Sequence, residues 1–236
     1  MNKKNYLNKS IVKVNLGCGE KWVHGWINID WSWNARIRKH PITKPFVPLL
    51  RFFGLIDTSI NWPPDLILHD IRKKLPFKDN SVDFIYTAHV IEHLKKYECI
   101  NCLKECYRIL KKDGIIRIVT PDLQFFALKY IERDQKFYYE QFRYQISDAD
   151  KFADRFLSII YDKKNKEPQS IKEKIKSFLF PIPYHMWLYD FESLSAILHE
   201  IGFRNIERCA FRKGRVPDLD KLEEPAPENL YIEAQK

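Results

Sequence analysis

No apolar run in the 236 residues approaches the roughly 20 needed to span a bilayer. The Met-Asn-Lys-Lys-Asn start has no apolar signal segment behind it, so the expected address is cytoplasmic, with membrane-peripheral contact as its variant. Cysteines number five, an odd count in a chain without an export signal, which points to reduced thiols and away from a disulfide frame. Acids are scarce between residues 31 and 64, where Asp57 stands alone against Arg36, Arg38, Lys39, Lys44 and Arg51. Glycine is missing from 124–180, where Pro168 is the sole proline, and that stretch reads as a helical cap with a solvated connection at 163–166.

What the chain does contain suits one enzyme domain. At 45% hydrophobic and 14% aromatic it can bury a full core. The formal charge of +9 implies an anionic partner, a membrane surface or a solvated basic exterior.

Residues 11–16 form an apolar run that enters Gly17-Cys18-Gly19, and Asp30 ends the next apolar run. Two residues without a Cβ let the backbone turn sharply under a ligand, and a carboxylate at the following strand end can accept both hydroxyls of a ribose. Further strands are expected at 65–68, 82–86 and 115–120. A helix is expected from about 95 to 110, because Cys99, Cys102, Leu103, Cys106 and Leu110 share one helical face. Lys111 and Lys112 would end it, with Gly114 in the left-handed conformation. A second helix is expected around 191–200, and closing strands at 205–208 and 230–233. Strands alternating with helices indicate a parallel sheet with helices on both faces and ligands at the C-terminal strand ends.

Asn15-Leu16-Gly17-Cys18-Gly19, Gly25-Trp26-Ile27-Asn28-Ile29-Asp30, His69-Asp70, Leu75-Pro76-Phe77, Asp79-Asn80-Ser81-Val82-Asp83, His89-Val90-Ile91-Glu92-His93-Leu94, Glu105-Cys106-Tyr107-Arg108-Ile109-Leu110-Lys111 and Pro121-Asp122-Leu123 follow in order. Together they resemble class I S-adenosylmethionine-dependent methyltransferases of the type-11 kind, and within them the small predicted methyltransferases associated with cell-surface polysaccharide gene sets. The resemblance implies an α/β, Rossmann-like, doubly wound and mostly parallel seven-stranded sheet with an antiparallel C-terminal strand. It implies one domain over 1–236, with inserts at about 31–64 and 124–180. The implied cofactor is S-adenosyl-L-methionine, leaving as S-adenosyl-L-homocysteine. Asn15, Gly17, Cys18 and Gly19 would meet its methionine part, Asp30 its ribose, Asp70 and Ile71 its adenine, and Ala88 and His89 its edge.

Other chemistries fit less well. A dinucleotide turn wants a third Gly where Trp22 stands and an acid later than Asp30. His89-Val90-Ile91-Glu92-His93 matches an inverted zinc-protease pattern, but it sits where a strand turns into a loop, and no metal is expected. Cys99, Cys102 and Cys106 read as small core residues. A nucleic-acid substrate is the runner-up. Thr87-Ala88-His89-Val90 stands where base-amine methyltransferases carry an Asp/Asn-Pro-Pro-aromatic element. A cofactor-binding protein without catalysis is the third reading.

The expected reaction is O-methylation of a sugar, sugar phosphate or lipid-linked glycan precursor. That reaction needs a base, and imidazole titrates in the right range. His93 and His185 are the candidate bases, with Asp122 as an alternative that would position the acceptor. The expected partner is a small-molecule or glycan acceptor, anionic given the basic insert. Cations interleaved with Trp31, Trp33, Phe46, Phe52, Phe53 and Trp62 suit a phosphorylated sugar or lipid headgroup, and residues 45–56 could lie in a membrane interface. The plainer expectation is a flap that packs these aromatics on the domain. Residues 212–229 read as a polar loop with Pro217, Pro225 and Pro227, to which no role is assigned.

Overall fold

The computed structural model describes residues 11–39, 42, 44–52, 61–142, 152–161 and 184–236. Seven strands, β1 (Lys13–Leu16), β2 (Ile27–Asp30), β3 (Ile67–Leu68), β4 (Val82–Ala88), β5 (Leu110–Pro121), β6 (Arg204–Cys209) and β7 (Asn229–Gln235), lie in the order β3-β2-β1-β4-β5-β7-β6. Pairs from β3 through β5 are parallel, and β7 runs antiparallel to both β5 and β6. This is the expected Rossmann-like sheet. Its C-terminal edge gathers the ends of β1, β2 and β4, where the sequence put the ligand.

Side-chain alternation separates the two faces. Ile85, Ile116, Ile118, Leu230 and Ile232 point one way, into a core shared with helices α3 (Lys96–Ile109) and α7 (Phe191–Ile201). On α3 the buried stripe is Cys99, Cys102, Leu103, Cys106 and Ile109, the expected face with its last member moved by one residue. Glu98 closes the helix start by accepting from the Lys95 amide, and Asp190 and Ser193 do the same reciprocally for α7. Burial pushes the Cys99 thiol up to about 12, and the Cys106 thiol, hydrogen-bonded to Cys102 and buried, also sits well above its ordinary value. These thiols are neutral core groups.

Among the described residues, the opposite face is covered mainly by turns and loop. Between β1 and β2 the chain makes only turns, and Val23 and Trp26 pack on Tyr86, Val119 and Tyr231. The remaining cover comes from the loop before β7, with the short helix α8 (Leu219–Leu222). A correction concerns the end of α3. Asp113, not Gly114, takes the left-handed conformation, at φ 66°. Gly114 is required for space, because a Cβ there would stand 3.0 Å from the Lys111 carbonyl oxygen and 3.1 Å from that of Asp83. β5 begins directly at Leu110 and bulges against β4.

Both inserts contain helix. In the first, α1 (Trp33–Lys39) and α2 (Val47–Phe52) follow β2, with Arg36 held between the rings of Trp31 and Trp33. Trp62 is buried, but Phe46, Leu49 and Phe52 are 56%, 54% and 83% exposed, contrary to a flap that packs all its aromatics inward. In the second, α4 (Leu123–Ile131), α5 (Gln135–Phe142) and α6 (Phe152–Ile160) share a small aromatic core around Phe126 and Tyr138. Phe53, the connection at 163–166, Pro168 and residues 181–183 lie outside the described residues.

Candidate active site

The turn after β1 is fixed by backbone bonds to β2: the amides of Gly17 and Cys18 both donate to the Ile29 carbonyl, at 2.8 and 3.0 Å. Gly17 and Gly19 have φ of 70° and 50°, a conformation that costs L side chains energy. Their surroundings differ. A Cβ on Gly17 would meet Val90 Cγ2 at 2.3 Å, whereas one on Gly19 would meet nothing within 4 Å. Gly17 therefore serves packing, and Gly19 leaves open space over the turn.

Asp30 is buried at the end of β2. Its Oδ2 accepts from the Gly19 amide at 2.9 Å and its Oδ1 from the Ser32 amide at 2.7 Å. A carboxylate has about four acceptor positions, so two stay available for a ribose. Asn15 braces the turn from below, donating to the Lys21 carbonyl at 2.9 Å. The Cys18 thiol is pushed far up by burial and by the Asp30 charge, so it is no nucleophile. Open space over Gly19, spare carboxylate acceptors and a neutral small side chain between them fit an adenosyl-methionine ligand.

A cleft of about 410 Å³ opens beside this turn. Asn15, Gly17, Cys18, Gly19, Ala88 and His89 all line it, so six of the expected cofactor residues come together. Asp30 backs the turn from behind. Asp70 and Ile71 lie after β3 and do not line the cleft. Arg72 engages both Asp70 oxygens at 2.9 and 2.8 Å and holds that carboxyl below its usual range, while Ile71 joins the core.

His89 is in the left-handed conformation, φ 54°, and its Nδ1 stands 3.3 Å from Oε1 of Glu92, whose side chain is fully buried. Glu92 Oε2 accepts from Thr120 Oγ1 at 3.3 Å. Burial lowers the proton affinity of His89, but the hydrogen bond and charge of Glu92 outweigh it, and the net shift is upward. The Nε2 edge faces Asn229 Nδ2 at 3.2 Å. Sequence reasoning gave His89 to the cofactor edge and missed this pairing, because the left-handed turn, not helical spacing, brings residues 89 and 92 together. The same turn dismantles the zinc-protease pattern: Ile91–His93 is a single 3-10 turn, so His89 and His93 share no helix face.

The expected bases His93 and His185 do meet, with ring centroids 5.1 Å apart, but neither lines the cleft. Asp122 caps α4 through the Gln124 amide at 3.0 Å and pairs with Arg208 at 2.9 Å, on a neighbouring cleft of about 490 Å³. Pro225, Ala226, Asn229 and Tyr231 stand between the two clefts. No sequence signal marked that wall, which forms only when β7 folds back along β5.

Residues 14–118 match the family described as a methyltransferase domain. The match covers 105 of the 236 residues, so it is this part of the chain that resembles a methyltransferase domain. The matched span runs from β1 into β5 and so contains the turn, Asp30, His89 and Glu92. A comparison with curated proteins finds no match. Among solved structures, the chain is similar to a SAM-dependent methyltransferase of Thermotoga maritima at 16% identity, covering 95% of this chain and 82% of that one with a TM-score of 0.45. A SAM-dependent methyltransferase of Archaeoglobus fulgidus is similar at 17% identity, over 98% and 88% of the two chains, with a TM-score of 0.45.

Proposed function

We propose that this protein O-methylates a hydroxyl of a sugar, sugar phosphate or lipid-linked glycan precursor, with His89 as the base. The observation that carries the reading is the His89–Glu92 pair at the cleft wall. S-adenosylmethionine, when bound, supplies an electrophilic methyl group on a sulfonium. A hydroxyl acceptor is a poor nucleophile until its proton leaves, and a positioned imidazole contributes about 10²–10⁴-fold to such a step. With Nδ1–H directed at the buried Glu92 carboxylate, the lone pair of His89 sits on Nε2, the edge facing Asn229, which also lines the cleft. Glu92 fixes the tautomer and favours the imidazolium once the proton has arrived. Leu222, Pro225 and Ala226 close the cleft from the β6–β7 side and limit water around the reacting atoms.

The acidic lining of the cleft argues against a polyanion such as RNA entering it. The charged residues lining the cleft are Lys21, Glu20, Glu223 and Glu224, so the basic excess of the chain lies elsewhere. The exposed Phe46 and Leu49 beside Lys44 and Arg51 favour the lipid-linked member of the acceptor class, with the first insert resting on a membrane surface.

The test is methyl transfer from labelled S-adenosylmethionine to a panel of sugar nucleotides, lipid-linked saccharides and RNA, with wild type and His89→Ala. Label is expected in a saccharide, with kcat about 10²–10⁴-fold lower in His89→Ala, and S-adenosylhomocysteine titration of the variant separates loss of the base from loss of the cofactor edge. Label in RNA alone, or an unimpaired His89→Ala, would sink the reading; cofactor binding without transfer to any acceptor would favour a binding protein.

A further inference from the structure

We propose that Glu92, His93 and His185 form a binding site for a divalent transition-metal ion of the zinc type, which clamps the segment around His185 onto the loop after β4. This goes beyond methyl transfer, which the cleft can perform without it. One ligand atom from each of the three residues lies within 4.8 Å of the others. Three ligands about 2.1 Å from a common ion stand roughly 3.4–3.6 Å apart in a tetrahedral or trigonal array, so side-chain adjustments of up to about 1.4 Å complete the set.

Backbone carbonyls set the tautomer of both imidazoles. His93 Nδ1 faces the Tyr184 carbonyl at 3.2 Å, and His185 Nδ1 faces the Ile160 carbonyl at 3.2 Å. A carbonyl oxygen can only accept, so each Nδ1 carries the hydrogen and each Nε2 carries the lone pair. Orientation of a ligating imidazole by a backbone carbonyl on its other nitrogen is the usual outer support of a metal-binding histidine. The third ligand is independently marked. Glu92 is fully buried, and beside the 3.3 Å contact of His89 Nδ1 its Oε1 keeps acceptor capacity for an ion. Two neutral imidazoles and one carboxylate suit zinc, cobalt or iron in preference to magnesium or calcium.

Three elements meet at this point. The Glu92 carbonyl accepts from the amides of Met186 and Trp187, at 2.7 and 3.2 Å, and Ile160 ends α6 of the second insert. An ion here would tie that insert to the loop carrying His89.

Cobalt is the probe, because its ligand-field bands report the donor set. Full-length protein stripped with a chelator is titrated with Co²⁺, then with Zn²⁺ in competition, for wild type, His93→Ala and His185→Ala. The expected result is one saturable site with ligand-field absorption and no thiolate charge-transfer band. Each variant should weaken it by at least the roughly 10–100-fold that loss of an outer partner alone costs, while still binding S-adenosylhomocysteine as evidence of folding. Absence of saturable binding, binding that survives both substitutions, or a thiolate charge-transfer band from Cys99, Cys102 and Cys106 would each overturn the proposal.

Discussion

Gly17 and Gly19 stand two residues apart with nearly the same backbone conformation, and alanine at each separates packing from ligand space. At both positions the left-handed conformation costs an L residue about 1–2 kcal/mol. At Gly17 the new methyl also meets Val90 Cγ2 at 2.3 Å, and overpacking of that kind costs about 1–3 kcal/mol. The sum is about 2–5 kcal/mol for Gly17→Ala against about 1–2 kcal/mol for Gly19→Ala. At roughly 2–4 °C per kcal/mol for a domain of this size, Tm should fall by about 4–20 °C and about 2–8 °C respectively. Ligand affinity should follow the reverse order. The Gly19 methyl points into open space that the cofactor would fill, so S-adenosylhomocysteine should bind roughly 5- to 150-fold more weakly. Thermal unfolding and calorimetric titration of the two variants read both quantities. Val90→Ala in the Gly17→Ala background should recover the overpacking part and leave the backbone part, as a double-mutant cycle would show. Equal stability of the two variants would refute the Val90 contact, and wild-type affinity in Gly19→Ala would refute a cofactor lying over this turn.

Arg117→Leu should destabilise by about 3–5 kcal/mol in urea unfolding, because it leaves Glu223 buried without its guanidinium partner and Glu233 with Arg215 alone. Asp218, held below the usual carboxyl range by hydrogen bonds from Lys13 and the Trp26 indole, contributes stability present above its unfolded pKa of about 3.9 and lost as pH falls through its lower folded value. Asp218→Asn should therefore be less stable than wild type at pH 7, with the gap closing in acid; a gap independent of pH would contradict the assignment. Anionic vesicles should co-float with wild type and not with Phe46→Asp/Leu49→Asp, and neutral vesicles with neither, if the first insert meets a membrane.

The parts of the site readable in the sequence are those made by neighbours along the chain. Leu16 running into Gly17-Cys18-Gly19, and Ile29 into Asp30, each carry their role locally: an apolar strand, a turn without Cβ atoms, a carboxylate at a strand end. The stripe on α3 is equally local. Contacts that close over long separations left no such trace. Arg117 and Glu233 sit within strand patterns where a charge reads as solvent-facing, yet both are buried, and Arg117 meets Glu223 across 106 positions. The Asp113 and Gly114 roles were exchanged because Asp tolerates positive φ and the tight approach of the Asp83 carbonyl demands glycine. His93 and His185, the expected bases, meet each other at 5.1 Å between ring centroids but do not line the cleft, a separation that no local pattern marks.

The buried Arg117 network also explains how a loop can replace a helix as one wall of the cleft. Loop backbone taken out of water needs partners for its polar groups. Arg117 donates to Glu223 at 2.8 Å and to the carbonyls of Lys213 and Ala210 at 2.8 and 3.0 Å. Glu233 accepts from the Arg215 and Val216 amides, and Glu223 accepts from the Arg212 amide. Gly214 lets the loop come this close, since a Cβ there would stand 2.1 Å from Glu233 Oε1. Tyr86 and Tyr231 then fix the far side through the carbonyls of Leu222, Glu224 and Ala226. Burial nevertheless raises the Glu223 carboxyl above its ordinary value, against the pull of Arg212 and Arg117. The wall that faces His89 is thus held by charges under desolvation instead of by an apolar helix stripe, and its position depends on Arg117 remaining paired. Loss of that pairing should reach the acceptor side of the cleft first, while the glycine turn, anchored separately on β2, keeps its shape.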